Sequence, residues 1–157
     1  MYFWNTKALA HELAQDTLKP QHYKNYYLIG AVVISLVYYL AMFNPYFDVR
    51  VALFECVMTV MIMVVGVQSA YQANGGDTGR HFINRVTALS FPILIKTTLW
   101  AVLFGLLIAI IYVVFDLEGS IFDLWYEWLV SGFTILMQLV FFTRLRFYLK
   151  KVADKQI

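Results

Sequence analysis

Three carboxylates lie inside otherwise apolar runs of this chain: Glu55, Asp123 and Glu127. In a run starting near Val51, Glu55 is about 6 Å deep at 1.5 Å per residue. A carboxylate at mid-span costs about 2.5 to 3.5 kcal/mol on insertion scales, so such groups turn toward other helices or a wet cavity. Asp123 and Glu127 are one helical turn apart, and counting from the ends of their runs puts Glu127 level with Glu55. One reading is a proton or cation site in which crowded carboxylates share protons and have raised pKa values. The other is that Glu55 snorkels, pairs with Arg50 or accepts a tyrosine hydroxyl, while Asp123 and Glu127 favour a helix N-terminus.

Few other residues suggest chemistry. Of the histidines, His11, His22 and His81, none lies in a long apolar run or at metal-ligand spacing from another, which disfavours haem. No nucleophile and base are paired, and no catalytic, cofactor-binding or metal-ligating residue is expected. The single cysteine, Cys56, excludes an intramolecular disulfide and reads as a packing residue. Gly75, Gly76, Asp77, Thr78, Gly79 and Arg80 invite comparison with a phosphate cradle, but lack the lysine and spacing of a P-loop. Asp77 or Thr78 capping the next helix is the simpler expectation. The aromatic residues give no nucleic-acid signal; Tyr23, Tyr26, Tyr27, Trp125, Tyr126, Trp128 and Tyr148 mark membrane edges.

The elements that carry these groups follow from composition. Of 157 residues, 61% are hydrophobic and 14% charged, with mean hydropathy +0.66. Soluble domains are roughly 45 to 50% apolar and about 25% charged, so the expectation is a single all-α membrane domain. Four apolar runs, 26–43, 51–71, 91–115 and 121–143, are each long enough to span. Residues 1–20 read as an amphipathic helix lying on the membrane, with Leu9 and Leu13 on one face, Phe3 and Trp4 as anchors, and Asn5 or Thr6 as cap. Phe82, Ile83, Val86 and Leu89 suggest a short interfacial helix before the third span, bent at Pro92. Residues 144–157 read as a basic tail. The fold expected is a four-helix integral membrane bundle with two interfacial helices.

Orientation follows from the basic residues. Lys7, Lys19, Lys24, Arg80, Arg85, Lys96, Arg144, Arg146, Lys150, Lys151 and Lys155 fall on one side, leaving only Arg50 opposite. That is 11 of the 12 basic residues. Asp48, Glu55, Asp116, Glu118, Asp123 and Glu127 lie on the other side. The positive-inside rule then places both termini in the cytoplasm. Arg80, Arg85, Lys96, Arg144 and Arg146 are expected at anionic headgroups. Ala101, Gly105 and Ala109 form a stripe of small residues that admits another backbone closely. Gly66 with Ala70, or Ser131 with Gly132, would supply the facing surface, as would a second protomer or larger partner.

The stretches MYFWNTKALAHEL and GRHFINRVTALSFPILIK resemble parts of small four-span bacterial inner-membrane proteins. The resemblance implies a bacterial cytoplasmic membrane and carries over no functional residue. The functional expectation is a non-catalytic protein acting through helix contacts, as an accessory or assembly subunit, a homo-oligomer or part of a larger membrane complex. The alternative is a small transporter or channel using the outer carboxylates. The expected surroundings are a bilayer with anionic headgroups; neither cofactor nor nucleic acid is expected.

Overall fold

The computed structural model describes residues 2, 4–18, 20–41, 48–114 and 120–155. They form five α-helices: α1 (Thr6–Ala14), α2 (Pro20–Ala41), α3 (Val49–Ala73), α4 (Phe82–Val114) and α5 (Ser120–Ala153). Three are long and apolar enough to cross a membrane: α3, α4 over Phe82–Tyr112 and α5 over Trp125–Ala153. The helical signals at α1 and α3 are local. Asn5 caps α1 by accepting the Ala8 N–H at 3.1 Å, and Asp48 caps α3 through the Arg50 N–H at 2.8 Å. Both satisfy donors that a helix start leaves free.

The packing forms a row. Among the described residues α3 packs on α5, α5 on α4 and α4 on α2, while α1 lies across α4 and α5. No comparable contact joins α2 to α3 there, so over these residues the helix contacts run in the order α3, α5, α4, α2. Two side-chain bonds fix the register of α3 against α5. Glu127 accepts the Asp48 N–H at 3.1 Å, and Gln138 donates to Thr59 at 2.9 Å. Both join residues 79 apart in sequence, so the two helices run parallel. The ring pairs Phe104 with Phe133 and Tyr112 with Tyr126 make α4 antiparallel to α5.

Three expectations change. No separate interfacial helix precedes the third span, because α4 runs unbroken for 33 residues with Pro92 inside it. Proline removes one backbone bond. Here its ring is fully buried beside Leu89, Phe91 and Ile93, which offsets that loss. Second, the basic tail is helical to Ala153, with Leu145, Leu149 and Val152 turned into the core. Third, α1 turns its apolar face to the protein and not to lipid. Leu9, Ala10 and Leu13 are fully buried in the same cluster as Leu89 and Leu149. Trp4 is exposed; Phe3, its expected partner as anchor, lies outside the described residues.

The α3–α5 contact depends on one glycine. Gly66 is buried with the Phe142 ring against its Cα, where a Cβ would overlap the ring. Gly66 therefore admits an aromatic side chain of α5, not the α4 stripe for which the sequence nominated it. Gly66→Leu should cost about 1 to 3 kcal/mol through overpacking. Gly132→Leu, with nothing within 4 Å of its added Cβ, should be nearly neutral. Thermal unfolding in detergent compares the two.

Candidate functional site: the two polar ends of the helix row

At the acidic end Glu55 and Glu127 do not converge. Glu127 accepts from the Asp48 backbone, lending a negative group to the start of α3. Asp48 pairs with Arg50, Oδ2 to Nη2, at 3.3 Å. The Arg50 N–H, followed by its guanidinium, holds the Asp48 carboxyl below the usual aspartate range. The stagger of α3 against α5 places Glu55 level with Thr134, two turns or about 10 Å from the level of Glu127. Glu55 is half-buried, and no hydrogen bond or ion pair engages it among the described residues. The pairing with Arg50 offered by the sequence is absent, since Arg50 is engaged with Asp48. Asp123 belongs to α5, but its side chain lies outside the described residues. No group of three metal-ligating side chains occurs among the described residues.

The basic end is more elaborate. Arg85 was expected at headgroups, yet it is buried. Its Nη1 donates to Asn74 Oδ1 at 3.2 Å, and its Nη2 lies 3.7 Å from Asp16 Oδ1. Asn74 caps the C-terminus of α3 and donates to the Arg80 carbonyl at 3.3 Å. Asp16 follows α1 in the left-handed region at φ 51°. One guanidinium thus ties the end of α1 and the end of α3 to the start of α4. The intervening loop satisfies itself. Tyr71 donates to Asp77 at 2.7 Å and Thr78 to the Gly75 carbonyl at 2.8 Å, so neither Asp77 nor Thr78 caps α4.

The N-terminus is held from the other side. Tyr2 N–H donates to the Tyr26 hydroxyl at 2.6 Å, and the Tyr2 hydroxyl donates to Glu12 at 2.8 Å. That bond to the Glu12 carboxylate pushes the Tyr2 phenol above its ordinary value. Lys96, expected to snorkel, reaches α1 instead: its Nζ donates to the Thr6 hydroxyl at 3.1 Å and lies 5.7 Å from the Trp4 ring centre. Arg80, Arg144 and Arg146 are exposed. The sequence signal for the inward turn of Arg85 was its place on one face with Leu89, which marks the side toward the core.

The small-residue stripe is unused among the described residues. Ala101, Gly105 and Ala109 are exposed, and nothing lies within 4 Å of a Cβ built on Gly105. Cys56, expected to pack, is also exposed, on α3. No protein-family model, curated protein or solved structure matches the chain.

Two outcomes follow. Arg85→Met leaves the buried Asn74 carbonyl without its donor and should cost about 1 to 3 kcal/mol, read as a lower melting temperature. At the acidic end, Glu55→Gln should keep or improve thermal stability. Liposomes carrying wild type, Glu55→Gln or Glu127→Gln should show indistinguishable proton and cation flux; flux in wild type lost in both variants would reinstate a shared carboxylate site.

Proposed function

We propose that this chain is a non-catalytic integral membrane protein that acts through helix contacts, as an accessory or assembly subunit or as a small homo-oligomer. The observation that carries the reading is the α4 surface. The most apolar 18-residue stretch of α4 has the highest hydropathy of the three candidate spans, yet only 6% of it is buried within the protein. Lipid covers Leu, Ile and Val side chains without a partner. A line of Ala101, Gly105 and Ala109 instead offers a shallow track into which a second helix settles by close packing. The row arrangement leaves that track open, whereas a closed bundle of four helices would have used it.

In this reading α2 completes four spans, and the charge asymmetry sets both termini in the cytoplasm of a bacterial inner membrane. The row itself supports the asymmetry, since the start of α2, the end of α3, the start of α4 and the end of α5 share one end. The separation of Glu55 from Glu127 by about two turns favours this reading over a transporter built on that pair.

Gly30 and Gly105 provide a matched test, because a Cβ at either meets nothing within 4 Å. Gly105→Leu and Gly30→Leu should therefore leave the isolated chain equally stable. Only Gly105→Leu should reduce its assembly, measured as native mass in detergent and as co-purification from the source membrane. Equal assembly of the two variants would sink the reading.

A further inference from the structure

A cleft of about 440 Å³ opens at the basic end, where the start of α1 meets the groove between α4 and α5. Thr6 comes from α1, Lys96, Thr97 and Trp100 from α4, and Arg144 and Tyr148 from α5. The volume is that of a small-ligand site, which typically runs about 300 to 1,000 Å³. The lining is graded along the helix axis. Lys96, Arg144 and three hydroxyl groups stand at the basic end, and Trp100, Met137 and Val140 continue toward the middle of the spans. One turn deeper, Phe104 and Phe133 stack with their centres 3.7 Å apart.

Among the described residues the charge in this cleft is uncompensated. Lys96 is half-buried and held by the Thr6 hydroxyl; no carboxylate lies within ion-pair distance of it or of Arg144 among the described residues. No acidic residue lines the cleft. A partly desolvated cation without a counter-charge is costly, and an anion brought to it removes that cost. The groove on the other side of α5, by contrast, carries Asp154 beside Arg146 and Lys150. We propose that the cleft seats one anionic phospholipid, its phosphodiester between Lys96 and Arg144 and the first methylenes of its chains on Trp100, Met137 and Val140. A free anion would satisfy the cations alone. The polarity gradient fits a molecule whose charge and hydrocarbon are joined in that order, and basic pockets between spanning helices hold such headgroups. Seated there, the lipid bridges α1, α4 and α5. The seat rests on the membrane placement of the chain and is independent of assembly through α4.

The test compares phosphatidylglycerol, phosphatidylcholine with the same chains, and glycerol phosphate, each added to protein purified in detergent. Melting temperature and retained lipid, by native mass spectrometry, are the readouts. Phosphatidylglycerol should raise the melting temperature and stay bound, as a ligand of the folded state does. Lys96→Gln and Arg144→Gln should each weaken its apparent affinity about fivefold, the effect of about one basic group at an anionic surface. Lys24→Gln, an exposed cation on α2, should leave it unchanged. If Lys96→Gln fails to fold, Arg144→Gln decides, since its exposed side chain holds nothing in place among the described residues. Equal affinity in wild type and Arg144→Gln, an equal response to phosphatidylcholine, or an equal shift from glycerol phosphate would each overturn the proposal. Gly105→Leu, run in parallel, should keep the lipid whether or not it assembles, which separates failure of the seat from failure of the helix-contact reading.

Discussion

The dominant constraint is a mismatch of length. At 1.5 Å per residue, the 33 residues of α4 and 34 of α5 reach about 50 Å, whereas the hydrocarbon core of a bilayer is about 30 Å thick. At the basic end the apolar faces of both helices are covered by protein. Leu9, Ala10 and Leu13 of α1 provide the cover, over Leu89 on α4 and Leu145 and Leu149 on α5. Arg85, Tyr2 and Lys96 then fix where that cover sits. Among the described residues the well-buried ones are concentrated in this cap, and the spanning parts contribute few of them. In water apolar surface drives burial, whereas between lipid chains helices gain little from it and pack instead by shape and by bonds such as Gln138 to Thr59.

Much of the helix layout was legible in the sequence because length and apolarity are local properties. Three of the apolar runs lie in helices long and apolar enough to span, although α4 begins at Phe82, ahead of its run, and α5 continues to Ala153, past the end of its run. Asn5 capped α1 as its type and place suggested. What stayed illegible was what each face meets. The spacing of Leu9 and Leu13 is the same whether the face lies on lipid or on protein. The tail could have been read as helix from Leu145, Tyr148, Leu149 and Val152, but the basic residues between them drew attention to charge. Pro92 is a local break signal that fails where the surrounding helix is buried on several sides.

The carboxylates show a different limit. Depth counted from the start of each run assumes that the runs begin at one level. The register is set by side-chain bonds between α3 and α5, and they stagger the two helices by about two turns relative to that assumption. Glu127 thereby meets a free backbone donor at the start of α3, while Glu55, level with Thr134, meets no bonding partner among the described residues. A row of helices also has more outer face than a ring, so α4 keeps its small residues on the surface where a ring would turn them inward. The absence of side chains at Gly66 and Gly105 thus has opposite meanings: one is filled by Phe142, the other is open.

The continuity of α5 has a mechanical consequence. A single helix joins the acidic end, where Glu127 holds the start of α3, to the cap, where Leu145 and Leu149 hold α1. Its backbone bonds make it a stiff lever: a tilt of about 5° about one end moves the other by about 4 Å over its 50 Å length. That is nearly the rise of a full turn. A load on the acidic half of the layer therefore shifts the ground beneath α1, with no loop between them to absorb the displacement.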